Sequence, residues 1–181
     1  MQILTKKIEA YNFDELDEAA KDEFRYLENQ NWWGTVHAED FKNTFTKFCN
    51  EFDINWHEYD VSPPQAIYNF GITNDTLRYH DKDLDEDLIY KLSVLKASED
   101  CPLTGFYADE SILKPIRQLK FTKKFCDSFY KEFDIEKLFD DCINNWLGDL
   151  QKEYDYYFSN EGLSELCKMN DYLFTKNGKL I

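Results

Sequence analysis

"FDINWHEYDVSPPQAIYNFGIT", residues 52–73, decides whether this chain contains a sheet. Ile54 and Trp56 fall on one face of its first part. In its second part Ala66, Tyr68, Phe70 and Ile72 alternate with other residues, the period of a half-buried strand. Pro63 and Pro64 punctuate the two. So short a connection cannot make a parallel crossover, so the expected strands, near 54–61 and 65–72, pair antiparallel.

Outward from this pair the pattern turns helical. Upstream, Phe41, Phe45, Phe48, Cys49 and Phe52 recur at helical spacing within 32–51. "NFDELDEAAKDEFRYLENQ" places Leu16, Ala20, Phe24 and Leu27 on one face, with acids in the first turn. "QILTKKIEAY", 2–11, reads as an N-terminal strand. Downstream, "LDEDLIYKLSVLKA" is a helix that ends before Pro102 and Gly105. Asp134 suits an N-cap, with Phe133 and Leu138 as a hydrophobic staple. From there a long stripe runs through Phe139, Cys142, Ile143, Trp146, Leu150, Tyr154 and Tyr157. A short helix capped by Ser159 or Asn160 follows, and Asn177-Gly178 predicts a type I′ hairpin at the end. Together these predict an α+β fold in a single domain, 1–181. Its small antiparallel sheet comprises the N-terminal strand, the strands near 54–61 and 65–72 and the C-terminal hairpin, flanked by several helices.

Composition bounds the function. The chain has 181 residues, 17% of them aromatic, which is ample for a core and excludes an acidic disordered chain. No apolar run approaches a membrane span, and the first residues lack the apolar region of a signal peptide. Five cysteines, an odd number with no C-x-x-C, fit neither a disulfide framework nor a zinc site and imply a reducing compartment. Cys49, Cys142 and Cys167 fall on apolar helical faces as small hydrophobes. The 36 acids against 21 bases give a net charge of −15. Such a chain repels nucleic acid and anionic membranes, and its natural partner is a basic surface.

Among local features, "HDKDLDED", 80–87, sets Asp81, Asp83, Asp85 and Asp87 at alternate positions beside Glu86. A calcium loop counted from Asp81 would need Gly where Glu86 stands and Glu where Leu92 stands, so no metal is expected. The run is either a solvated connector or an anionic ridge that faces a protein. Asp14, Glu15, Asp17, Glu18 and Asp22 form a second acidic face. Trp32 and Trp33 are adjacent at a helix start: either one faces away from the core and anchors a partner, or both are buried beneath the C-terminal hairpin. His37 with Glu39 or Asp40, and His57, are the acid–base candidates, including for RNA cleavage. No phosphate-binding glycine loop or nucleophile elbow is present, and no cofactor is expected. Residues 111–126 reverse the polarity, with Lys114, Arg117, Lys120, Lys123 and Lys124 and no acid. The segment either contacts RNA phosphates or an acidic partner, or balances the acidic helices within the fold, and direct nucleic-acid contact is expected nowhere else.

Three blocks carry a resemblance. "YNFDELDEAAKDEFRYLENQNWWGTVHAEDF", "CPLTGFYADESILKPI" and "QKEYDYYFSNEGLSELCKMNDYLFTKNGKLI" resemble small acidic proteins of phages of Gram-positive bacteria. These open with a strand, an acidic helix and a Trp-Trp pair, and some resemble anti-CRISPR proteins that block Cas9. The resemblance implies a counter-defence protein in the host bacterial cytoplasm. Its implied partner is Cas9, or the Cas9–guide RNA complex, touched through a basic surface. The rival readings are an RNA-cleaving enzyme that truncates guide RNA, and a phage structural or regulatory protein.

Overall fold

The computed structural model describes residues 7–30, 32–55, 61–62, 71–72, 86–119 and 134–181. Their order is a 3-10 turn at Phe13–Glu15, α1 at Glu18–Asn29, a 3-10 turn at Trp32–Gly34 and α2 at Val36–Glu51. Then come β1 at Val61–Ser62, β2 at Gly71–Ile72, α3 at Glu86–Ala97, α4 at Ala108–Gln118, α5 at Ile135–Tyr157 and α6 at Asn160–Met169. The fold is all-α, which corrects the expected α+β sheet. Among the described residues, strand is confined to β1 and β2, paired antiparallel as Val61 with Ile72 and Ser62 with Gly71. The rest of the expected strands, 56–60 and 65–70, lies outside the described residues, as do 2–6 of the N-terminal strand.

The chain forms two compact units, one of residues 1–35 and 152–181, the other of 36–151. The terminal unit holds further strand-like pairings, among its described residues as single bridges. Tyr11 exchanges both backbone hydrogen bonds with Phe174 at 2.9 Å, and Phe174 bridges Leu180. The expected type I′ turn is also corrected. It would need positive φ at Asn177 as well as at Gly178, but only Gly178 takes it, at +76°. Thr175 N donates to Lys179 O at 2.8 Å and Gly178 N to Thr175 O at 2.9 Å, a three-residue loop with glycine in the left-handed position.

In the terminal unit, Asp17 caps α1 by accepting from Ala20 N at 2.9 Å. Ala20 and Phe24 are buried, and Phe24 packs edge-on against Phe174 and Phe13, at 5.0 and 5.9 Å between centroids. Arg25 pins the end of α5 by donating from Nε to Phe158 O at 2.9 Å and from Nη2 to Asn160 Oδ1 at 2.7 Å. Trp32 packs edge-on against Tyr154 at 5.1 Å. Two glycines permit close approach here. A Cβ on Gly162 would lie 2.2 Å from Tyr156 O, and one on Gly178 would lie 2.5 Å from Ala20 O. Helix α6 starts at Ser159, whose Oγ accepts from Gly162 N at 3.0 Å.

The central unit is built on two aromatic-rich helical faces. Phe41, Phe45, Phe48 and Cys49 of α2 are buried, as are Leu138, Phe139, Cys142, Ile143, Trp146 and Leu150 of α5. Trp146 stacks on Phe45 at 4.4 Å and donates its indole N–H to Phe41 O at 3.0 Å. Phe139 packs on Phe48 and Phe52, at 5.9 and 4.7 Å. Helix α4 adds Ile112, Leu113 and Ile116, and α3 adds Leu88, Leu92 and Leu95. These faces bury their apolar surface against one another, so the core needs no sheet beneath it.

A buried carboxylate organises the "CPLTGFYADES" segment. Asp109 has no solvent exposure. Its Oδ2 accepts from the backbone N–H groups of Leu103 and Thr104, both at 2.8 Å. Its Oδ1 accepts from the hydroxyls of Thr104 at 2.7 Å and Thr44 at 2.8 Å. Four donors thus replace the water that a buried carboxylate loses, and they tie the turn before α4 to α2.

Candidate functional site

The acids of the N-terminal face are largely engaged within the terminal unit. Glu15 reaches back to Asn12, accepting from its backbone N at 2.7 Å and its amide at 3.1 Å. Asp17 is the N-cap already described. Glu18 pairs with Lys21 at 3.1 Å and Asp22 with Arg25. Asp14 pairs with Lys168 at 3.0 Å. The acids of these pairs are exposed, and such pairs lower the local charge more than they fix the structure. Trp32 is 1% exposed and serves the core, so it offers no surface anchor. Trp33 and His37 are placed by their backbones alone, in the second 3-10 turn and the first turn of α2.

Glu86 and Asp87 are exposed in the first turn of α3, in the central unit. Glu39 is exposed and Asp40 half-buried on α2. Asp81, Asp83, Asp85, His57, Lys120, Lys123 and Lys124 lie outside the described residues. Of the basic segment, Lys114 is exposed, while Arg117 is half-buried and donates from Nη2 to Asp100 O at 2.7 Å. Arg117 therefore serves the fold of the central unit.

A site that the sequence did not suggest lies where the start of the terminal unit meets α6. A cavity of about 270 Å³ is lined by Asn12, Phe13, Asp14, Ser164, Cys167, Lys168, Asp171, Tyr172 and Leu173. Ser164 and Lys168, one helical turn apart, converge on Asp14. Ser164 Oγ donates to Asp14 Oδ2 at 2.9 Å, and Lys168 Nζ donates to Ser164 Oγ at 2.7 Å. The bonds from Ser164 and Lys168 hold the Asp14 carboxyl below its ordinary value of 3.8. Asp171, another lining residue, lies just past α6 with φ of +53°. Tyr172 N donates to Cys167 O at 2.9 Å and Asp171 N to Lys168 O at 3.4 Å, the Schellman pattern in which glycine usually occupies the left-handed place.

This arrangement is suited to binding rather than to nucleophilic chemistry. Ser164 gives its proton toward a carboxylate of lowered pKa, which is a weak base, and Lys168 acts there as a donor. The Cys167 thiol is pushed up to about 11, mainly by burial, with Glu28 and Asp14 adding to the rise, so it stays protonated. Burial likewise raises the Cys49 and Cys142 thiols, in keeping with their packing role. Among the described residues no three His, Cys, Asp or Glu side chains group to hold a metal. Nor is any described helix long and apolar enough to cross a membrane. The signal for the cavity was present as the i, i+4 spacing of Ser164 and Lys168. What a single sequence did not carry was the long-range partner, Asp14.

Comparison with known protein families, with curated proteins and with solved structures finds no match.

Proposed function

We propose that this chain is an acidic binding protein that docks on a Lys/Arg-rich, nucleic-acid-handling surface of a bacterial defence protein. The resemblance to small phage proteins makes Cas9, alone or with its guide RNA, the first target to test, and the host bacterial cytoplasm the place of action. One observation carries the reading. The central unit holds 23 Asp and Glu against 13 Lys and Arg, and it presents Glu86, Asp87, Glu99, Glu110, Glu136 and Asp141 at exposed positions of α3, α4, α5 and the loop after α3. Carboxylates spread over several helices and left facing water repel phosphate and attract cations, which favours a basic protein partner over direct nucleic-acid contact. The engaged acids of the terminal unit shift the weight of the proposed surface toward the central unit.

The test is size-exclusion chromatography of the full chain with the Cas9–guide RNA complex at low and high salt. Co-elution at low salt that weakens at high salt is the expected result, because complementary exposed charges are screened. Migration as separate species at low salt refutes the Cas9 reading. The combined change Glu136→Gln with Asp141→Asn should slow association while leaving thermal melting unchanged.

A further inference from the structure

The mixed cluster around Asp14 points to a more specific contact, one that rests on the proposed docking to a basic partner. We propose that the cavity between the first 3-10 turn and α6 receives the guanidinium of a partner's arginine side chain, with Asp14 exchanging Lys168 for it.

Four observations support this. The first is size: pockets for drug-sized ligands begin at roughly 300 Å³, and this cavity, at about 270 Å³, suits a single long side chain. The second is charge: Asp14 and Asp171 are both lining residues, against the one cation Lys168. The third is ease of exchange: the Lys168 side chain is 69% exposed and that of Asp14 56%, so the lysine can turn into water without opening the core. Ser164, buried at 6% exposure, stays behind as a fixed polar wall with its hydroxyl aimed at Asp14. The fourth is choice of cation: a planar guanidinium binds a carboxylate through two parallel N–H donors, which a lysine ammonium cannot do. Tyr172, half-buried in the lining, offers an aromatic wall, and such walls favour arginine further. Asp171 is the notable member of the set. A carboxylate just past a helix C-terminus opposes the helix dipole, and an aspartate at positive φ costs more than a glycine would. A role in holding a cation gives that residue a use that the turn itself does not require.

The probe is N-acetyl-arginine methylamide, titrated into the full chain and followed by backbone amide NMR, with N-acetyl-lysine methylamide as the comparison. The expected result is saturable, millimolar shifts confined to residues 12–14 and 164–173, with the lysine probe weaker. Asp14→Asn and Asp171→Asn should each weaken binding about tenfold, and Lys168→Met should strengthen it. Asp171→Asn keeps a residue that tolerates the left-handed turn, so it stays informative should Asp14→Asn disturb the fold. Absence of saturable shifts, equal binding of the two probes, or wild-type affinity in Asp171→Asn overturns the proposal. If the arginine probe fails while salt-sensitive capture of the basic protein persists, only the cavity assignment falls. If both fail, the docking reading falls with it.

Discussion

Replacing Asp109 removes the acceptor around which the central unit's turn is built. In Asp109→Ala, the N–H groups of Leu103 and Thr104 lose their acceptor in a part-buried site. Each such loss costs about 1–3 kcal/mol. The two threonine hydroxyls are less affected, because Thr44 and Thr104 already lie 3.1 Å apart and can satisfy each other. The net expectation is a loss of about 3–5 kcal/mol, comparable with breaking other buried charged contacts. That is a large share of the 5–15 kcal/mol typical of a domain. Asp109→Asn is the discriminating variant. Its carbonyl oxygen can face the two N–H groups while its amide donates to the two hydroxyls, so all four partners stay bonded and only the charge assistance is lost. A cost of about 1–2 kcal/mol is expected. Urea denaturation followed by circular dichroism measures both, with the slope unchanged. If Asp109→Ala falls within about 1 kcal/mol of wild type, the network is not what holds the turn. If Asp109→Asn is as damaging as Asp109→Ala, the bonding scheme is wrong.

Other perturbations give equally definite outcomes. Gly148 is exposed inside α5 with nothing within 4 Å of an added Cβ, so Gly148→Ala should raise stability by about 0.5–1 kcal/mol in urea melts. Gly162→Ala drives a methyl into the Tyr156 carbonyl and should cost about 1–3 kcal/mol or more, seen as a lowered melting temperature. Asp171→Gly relieves the left-handed strain and should stabilise by about 0.5–1 kcal/mol, while losing arginine binding if the cavity assignment holds. The Asp14 carboxyl is depressed, so its contribution is present above the ordinary value of 3.8 and is lost as pH falls through its lower folded value. Carboxyl NMR should show Asp14 titrating below its ordinary value, with the midpoint rising in Lys168→Met.

The helices were the legible part of this sequence, because their period is local. The α5 stripe from Leu138 to Leu150 is buried as its spacing implies, and Asp134 accepts from Lys137 N at 2.9 Å as an N-cap should. Leu27 shows the limit of such reading. Its spacing puts it on the buried face of α1, yet it is 46% exposed, because the inner stripe continues from Phe24 to half-buried Glu28, four residues on, where the Tyr157 hydroxyl lies at 3.5 Å. The sheet was misread for a different reason. Alternation marks an extended segment but not its partner. Here β1 and β2 pair with each other within the central unit, while Tyr11, Phe174 and Leu180 form single bridges within the terminal one. The cavity was hidden in the same way. Asp14 stands 150 residues from Ser164, and no local pattern links them. Asp109 is not legible in the sequence, because aspartate is so seldom fully buried that composition argues against it.

The division of the chain has a consequence for its birth on the ribosome. Residues 36–151 form their unit from one continuous stretch of chain. Residues 1–35 precede that stretch yet must wait, since Phe13 and Phe24 have no Phe174 to close on until residues 152–181 follow. During that interval the two phenylalanines have each other but lack Phe174, a window in which a nascent-chain chaperone would find exposed aromatic surface.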